Sequence, residues 1–138
     1  MKKCDLKGHL LLNKIRATKN RILVLELIQK YHKPISVFNL HQKIMGSRKI
    51  DLVTVYRILD LFKEKQIVRE IFDQNGTQYF ELACDHNPIH AHTICNRCKK
   101  MECLDNINLD MFSQMDIKRF HIQDLTVSIR GLCQECSN

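Results

Sequence analysis

The stretch "DLVTVYRILDLFKEKQIVREIFDQNGTQYFEL", residues 51–82, joins a helical pattern to a hairpin signal. In its first half the apolar side chains recur at helical spacing and form one stripe, made of Leu52, Val55, Leu59 and Phe62. The second half holds two β-rich runs that meet at Asn75-Gly76, and an Asn-Gly pair between such runs is the strongest short hairpin signal. The stretch therefore predicts a helix followed by a β-hairpin.

Two further helices are predicted upstream of this stretch. The segment "TKNRILVLELIQKY" begins at Thr18, a residue that caps helices, and its apolar residues follow helical spacing. The segment "SVFNLHQKIMG" begins at Ser36 and reaches Gly46, where a helix should stop. Three helices followed by a hairpin make a winged helix-turn-helix.

The charge of the chain is concentrated in its first part. The 138 residues carry a net charge of +7. Residues 1–83 hold 16 Lys and Arg against 8 Asp and Glu, a net of +8, while residues 84–138 hold 6 against 7, a net of −1. A solvated basic surface is one explanation, but the charge asymmetry coincides with a change in Cys and His usage and favours a polyanion-binding domain. On the third helix, Thr54 and Arg57 lie opposite the apolar stripe and Tyr56 lies on its flank, so these three are free to contact a partner.

The second part, residues 84–138, is predicted to be a small α+β module. The knuckle "CNRC" stands between strand-like "AHTI" and "KKMECL", a helix is predicted over residues 107–119, and Leu125, Val127 and Ile129 alternate in a last strand. No apolar run approaches the ~20 residues that cross a bilayer, and no secretory signal is visible. The expected compartment is a reducing cytoplasm, where an odd number of cysteines indicates metal ligands or free thiols.

Two CxxC pairs predict a structural zinc site. Cys95 and Cys98 form the first pair, Cys133 and Cys136 form the second, and 34 residues separate the pairs. Each two-residue gap lets both sulfurs of a pair face the same ion, and four thiolates suit a closed tetrahedral Zn²⁺ site. A redox CxxC motif and two disulfides are the alternative interpretations.

A second metal site is expected beside the first, because side chains alternate faces along a strand. His90 and His92 share one face of "HAHTIC", whereas Cys95 lies at an odd separation from both and points to the other face. One ion could not easily bind all of them. The two histidines therefore need ligand partners other than the CxxC pairs.

The order of helix-turn-helix, wing, "HAHTIC" and two CxxC pairs resembles the ferric uptake regulator superfamily of dimeric, metal-dependent DNA-binding repressors. The family's recognition-helix pattern corresponds to "VTVYR", Val53 to Arg57, and an upstream family pattern corresponds to "RATKNR", Arg16 to Arg21. The resemblance implies that Tyr56 and Arg57 enter the major groove and that Arg16 lies near the minor groove. It also implies a homodimer on a palindromic double-stranded DNA operator, with residues 1–83 binding DNA and residues 84–138 forming the dimerisation and metal-binding domain.

The spacing Cys-x5-His-x-His-x2-Cys resembles the zinc uptake regulator branch of that superfamily. The resemblance implies that Cys84, His90 and His92 hold a sensed Zn²⁺, with an acidic residue at the end of the recognition helix, here Glu64, as the fourth ligand. Zinc accepts this mixture of ligands, and a thiolate biases the site against ferrous iron. Glu81 is the substitute ligand expected in an iron-type site, and the other possible substitutes are His32, His86, Glu102 and Cys103.

The sequence departs from the family at a further histidine-rich site and leaves several rivals open. Ile89, Ala91 and Leu125 stand where members carry ligands of a further histidine-rich site, so that site is predicted to be absent. Within the superfamily, the rival is an iron-responsive or peroxide-sensing regulator. Outside it, the rivals are a CxxC thiol oxidoreductase and a zinc-storage module. A metalloenzyme is disfavoured because a four-thiolate site has no open position, so the chain is predicted not to be an enzyme and to take no small-molecule substrate.

Overall fold

The computed structural model describes residues 3–105, 109, 112, 117–121 and 124–138. The chain divides into two compact units, Met1–Pro88 and Ile89–Asn138. The boundary expected from the sequence, after residue 83, falls inside the first unit.

Four helices form most of the first unit: α1 (Leu6–Leu12), α2 (Lys19–Tyr31), α3 (Val37–Met45) and α4 (Leu52–Glu64). The predicted caps of α2 and α3 are confirmed, because the Arg21 N–H donates to Thr18 Oγ1 at 3.3 Å and the Asn39 N–H donates to Ser36 Oγ at 3.2 Å.

Helix α1 was not predicted, since polar residues break its leucine cluster. It forms because Asp5 caps it, accepting from the Gly8 N–H at 3.1 Å, and because Leu6 and Leu10 are buried in the core. Because α1 is short, only two of its residues are buried, which is too few to show a helical pattern in the sequence.

The predicted hairpin is confirmed and forms most of a three-stranded sheet. Strands β2 (Val68–Phe72) and β3 (Gln78–Leu82) are antiparallel, and the two-residue strand β1 (Ile35–Ser36) pairs with β3 to give the order β1-β3-β2. In the turn, Gly76 has φ +79°, a left-handed conformation that favours glycine. The fold is therefore a helix-turn-helix followed by a wing.

The core of the first unit lies among its helices and its sheet, and one residue of the predicted apolar stripe of α4 lies outside this core. Leu52 is 42% exposed, whereas α4 buries Val55, Ile58, Leu59 and Phe62. The inward stripe runs through i, i+3, i+4 and i+7 from Val55, so Ile58 belongs to it. Leu52, as the first residue of the helix, lies at its exposed end.

The second unit contains strands β4 (Ala91–Cys95), β5 (Met101–Leu104) and β6 (Val127–Gly131), and the short helix α5 (Gln134–Ser137). The sheet order is β5-β4-β6, with β4 antiparallel to β5 and parallel to β6. The predicted last strand is confirmed from Val127 onward. The helix predicted over residues 107–119 lies largely outside the described residues.

The α+β class, with a winged helix-turn-helix first and a small cysteine-bearing module second, is confirmed by these elements. In the described part of the chain, helices are too short or too polar to span a bilayer.

Candidate metal centres and DNA-contact surface

Helix α4 presents the predicted contact residues on its outer surface. Tyr56 is 40% exposed and Arg57 is exposed, while the Thr54 N–H is taken up by the Asp51 cap at 3.2 Å. Val53 is also exposed. The surface thus combines apolar groups, which can meet a thymine methyl, with a guanidinium, which can bond guanine bidentately.

Arg16 lies between α1 and α2 and is exposed. Its carbonyl accepts from Arg21 Nη1 at 3.0 Å, which ties the two arginines of "RATKNR" together. The Arg16 guanidinium is a basic group on the surface of the first unit.

The four cysteines of the two CxxC pairs form one cluster in the second unit. Their sulfur atoms all lie within 4.8 Å of one another, and Cys98 Sγ is 3.8 Å from Cys133 Sγ. Two hydrogen bonds join the segments that carry these pairs: the Asn96 N–H donates to the Gly131 carbonyl at 2.8 Å, and the Arg97 side chain donates through Nη1 to the Cys136 carbonyl at 2.7 Å. Four convergent sulfurs fit a tetrahedral structural Zn²⁺.

Electrostatics within this cluster also suit a cation. Donation from the Cys133 N–H, 3.4 Å from Cys95 Sγ, together with the Cys98 N–H, lowers the pKa of the Cys95 thiol to about 6. Hydrogen bonding with the Cys133 thiol, followed by desolvation, raises the pKa of Cys136 to about 12. The backbone N–H groups therefore favour ionisation of one thiol, whereas the neighbouring thiols and desolvation oppose ionisation of the next. A bound divalent ion would allow all four thiols to ionise.

His90 and His92 form part of a second cluster in the same unit. Their ring centroids are 4.5 Å apart, His92 is 2% exposed, and a ring nitrogen of each lies within 4.8 Å of Cys103 Sγ. The register of β4 and β5 places the Cys103 thiol next to these rings, because His92 is paired directly with Cys103. Two imidazoles and a thiol thus meet on one face of the sheet, apart from the four-cysteine cluster.

The first unit holds the two acidic candidates in different settings. Glu64 is exposed at the last position of α4. Glu81 is buried on β3, and its Oε1 accepts from Arg69 Nε at 3.1 Å. Arg69 also donates to the Asn87 carbonyl at 2.7 Å, so the guanidinium links the Glu81 carboxylate to the segment after β3.

Cys84 lies beside Cys4, for which the sequence predicted no site, and beside His86, which was predicted only as a substitute ligand. The structure joins Cys84 to Cys4 as a disulfide, and ligand atoms of Cys4, Cys84 and His86 lie within 4.8 Å of one another. The sequence predicted free thiols or metal ligands at both cysteines, and this pairing differs because α1, which was not predicted, carries the N-terminal segment to the end of β3. Cys95, Cys98, Cys133 and Cys136 are not disulfide-bonded.

Cys103 and Cys4 are the residues whose surroundings the sequence did not specify. Centring the "CNRC" hairpin between Arg97 and Cys98 pairs His92 with Cys103, so the register carried a usable signal. Cys4 had no such signal, since its neighbour is 80 residues away along the chain.

Comparison with known proteins agrees with this architecture. The ferric uptake regulator family model matches residues 13–130. The chain is 32% identical over 129 residues to a ferric uptake regulation protein of Haemophilus ducreyi, covering 90% of this chain and 84% of that protein. It is 26% identical over 129 residues to the peroxide-responsive repressor PerR of Staphylococcus saprophyticus, covering 91% and 85%.

A solved structure shows the same fold. The Vibrio cholerae ferric uptake regulator superposes with a TM-score of 0.72 at 26% identity, covering 94% of this chain and all of that one. Family members are transcription regulators and not enzymes. The chain therefore belongs to the ferric uptake regulator family of dimeric, metal-responsive DNA-binding regulators.

Proposed function

We propose that the protein is a zinc-responsive repressor that binds a palindromic operator as a homodimer and controls metal-uptake genes. The observation that carries the choice of metal is the thiol of Cys103 beside the imidazoles of His90 and His92. A thiolate is a soft ligand that zinc accepts readily, whereas Fe²⁺ binds comparable sites more weakly. A site in which oxygen atoms took the place of this thiolate would have favoured an iron-responsive regulator.

We assign the remaining ligand of the sensed metal to an acidic residue. Glu64 is the residue that the zinc-branch resemblance implies, and Glu81 is its substitute. Cys84 is the thiolate implied by the same resemblance, but its proximity to Cys4 and His86 favours Cys103 as the thiolate partner of the histidines. In a symmetric dimer, metal binding would fix the recognition helices at one spacing, which selects a palindromic operator.

DNA contact is assigned to the first unit. Tyr56 and Arg57 would enter the major groove from α4, with Thr54 near them and Arg16 beside the minor groove. The net charge of +8 in residues 1–83 supplies the attraction to phosphates.

Dimerisation is assigned to the second unit. In its sheet order β6 is an edge strand, and most of its side chains are exposed, including that of Ile129. A second copy that pairs with this edge would cover it.

Metal-dependent DNA binding tests the proposal. An operator would be recovered by selecting bound duplexes from a random-sequence pool, and binding would be followed by fluorescence anisotropy under anaerobic, reducing conditions with Zn²⁺, Fe²⁺ or Mn²⁺. We expect Zn²⁺ to activate binding at the lowest free concentration. Full switching from 1:99 to 99:1 needs roughly 5.5 kcal/mol of differential binding.

Single variants assign the ligands in the same assay. His92→Ala and Cys103→Ser should abolish activation by zinc while the four-cysteine zinc stays bound. Loss of activation in Glu64→Ala or in Glu81→Ala identifies the oxygen ligand. If Cys84→Ser abolished activation and Cys103→Ser did not, the thiolate would be Cys84. Activation by Fe²⁺ in preference to Zn²⁺ would make the protein an iron-type or peroxide-sensing regulator instead.

A further inference from the structure

We propose that Cys4, Cys84 and His86 form a third metal site, which binds Zn²⁺ within the first unit when the two thiols are reduced. Two sulfurs and one imidazole converge there, with their ligand atoms within 4.8 Å of one another. The site goes beyond the proposed function, because it needs neither His90 nor His92. It is also separate from the four-cysteine cluster, which lies wholly in the second unit.

Cys4 is held in place by the helices next to it. It immediately precedes Asp5, the cap of α1, and its side chain packs against the core beside the buried Leu6. Its carbonyl accepts from Gln29 Nε2 of α2 at 3.5 Å. The sulfur of Cys4 therefore projects from an ordered segment rather than from a loose terminus.

Cys84 and His86 are held by a tight turn after β3. The Asn87 N–H donates to the Cys84 carbonyl at 2.9 Å, and Asn87 Nδ2 donates to the Leu82 carbonyl. His9 of α1 hydrogen-bonds the Ala83 carbonyl through Nε2 at 3.2 Å, directly before the turn. The contacts of His9 thus fix α1 against the segment that carries the other two ligands, which is the supporting role that outer contacts play at metal sites.

The spacing of the two cysteines suits a shared ion. Their Cα atoms are 7.1 Å apart, outside the roughly 4.4–6.8 Å that disulfides usually span. Zinc bonded to sulfur at about 2.3 Å in a tetrahedron holds two sulfurs about 3.8 Å apart, which fits the wider backbone separation. Two thiolates and an imidazole favour zinc over Mg²⁺, Mn²⁺ and Fe²⁺.

The cleft beside these three residues leaves room for an exchangeable fourth ligand. The three residues line a cleft of about 630 Å³ together with Asp5, His9 and Asp85. Three protein ligands with an open position resemble an exchangeable zinc site more than a closed structural one. An ion here would tie the start of α1 to the end of β3, so its occupancy would stabilise the N-terminal helix on the first unit.

Cobalt titration of the full chain tests the site. The protein would be reduced with a phosphine under anaerobic conditions, desalted, and titrated with Co²⁺ while the four-cysteine cluster keeps its zinc. In a His92→Ala, Cys103→Ser background we expect one equivalent of Co²⁺ with thiolate-to-metal charge-transfer absorption. Cys4→Ser should abolish this absorption, and His86→Asn should weaken binding at least tenfold. His121→Asn is the matched control and should bind as the background does, because His121 is an exposed histidine outside the cluster.

A second measurement uses the wild-type chain and does not depend on the background folding. Mass spectrometry would follow alkylation of Cys4 and Cys84, and Zn²⁺ should slow both at least tenfold. Unchanged alkylation of Cys4 in the presence of Zn²⁺ would overturn the proposal, as would a Cys4–Cys84 disulfide that persists after reduction. If Cys84→Ser and His92→Ala removed the same equivalent of metal, Cys84 would belong to the regulatory site, and the third site would not exist.

Discussion

The two units of the chain are ordered by different means. The first unit buries a continuous apolar core that includes Leu10, Leu25, Leu40, Leu59 and Phe62. Among the described residues of the second unit, the buried apolar side chains are Ala91, Ile94, Cys95 and Met101. Structural zinc sites contribute folding free energy, and the four-cysteine cluster joins the end of β4 to the segment after β6, so we expect it to hold much of the order in the second unit. The comparison teaches that metal loss and core mutation should damage different halves of the molecule.

Removal of the structural zinc should have the largest effect. We expect Cys133→Ser to unfold the second unit and to abolish the dimer, because structural zinc sites contribute about 10–16 kcal/mol of apparent binding free energy. Zinc content and size-exclusion chromatography measure the loss. All three tyrosines, Tyr31, Tyr56 and Tyr79, lie in the first unit, and the chain has no Trp, so tyrosine fluorescence reports whether that unit still unfolds cooperatively.

Cys103→Ser is the control for this variant, since it removes a thiol from the same unit outside the four-cysteine cluster. It should keep the tight zinc and the dimer. A Cys133→Ser dimer that still held one chelator-resistant zinc would show that the second unit does not depend on this cluster.

Truncation of the core should damage the first unit alone. Phe62 is fully buried, and Phe62→Ala should cost about 3–5 kcal/mol through lost burial and a cavity. Urea unfolding followed by tyrosine fluorescence measures the cost. Phe38, which is 68% exposed, gives the matched control, and Phe38→Ala should change stability by about 0.5 kcal/mol or less. Loss of the tightly bound zinc in Phe62→Ala would contradict the claim that core truncation damages the first unit alone.

DNA reading should depend on one surface of the first unit. Arg57→Ala should weaken specific operator binding by about 1–3 kcal/mol while the fold and zinc content stay intact. Lys49→Ala, at another exposed basic residue, should reduce affinity for operator and random DNA alike and lower the salt dependence of binding. If anisotropy gave equal operator affinities for the wild-type and Arg57→Ala proteins, the prediction that α4 reads the major groove would be wrong.

The sequence predicted elements whose signals are local and missed contacts that depend on distant segments. Caps at Thr18 and Ser36 and the hairpin at Asn75-Gly76 were predictable because each involves neighbours in the chain. The inward position of Leu52 was wrong because a helical stripe does not specify which terminal residue reaches the core.

The metal ligands divide in the same way. The spacing of the CxxC pairs predicts their cluster, and the structure brings their sulfur atoms together. Cys103 required the strand register, and the neighbour of Cys84 required the placement of α1, which short-range periodicity does not reveal. Site prediction from sequence is therefore weakest for a single ligand whose partners lie far away along the chain.

The smallest predicted effect concerns the wing of the first unit and depends on pH. Burial opposes ionisation of Asp73, but the Thr77 and Asn75 N–H groups, which donate to Oδ1 at 3.0 and 2.8 Å, outweigh it and hold the pKa of this carboxyl below its ordinary value of 3.8. A carboxyl whose pKa is lowered by folding adds stability that is complete above the unfolded value and disappears as pH falls through the folded value. Asp73→Asn should therefore cost about 1 kcal/mol at neutral pH, and the gap to wild type should narrow below pH 3.8. Urea unfolding followed by tyrosine fluorescence at several pH values measures the gap, and a gap that stayed constant on acidification would show that the Asp73 charge does not stabilise the wing.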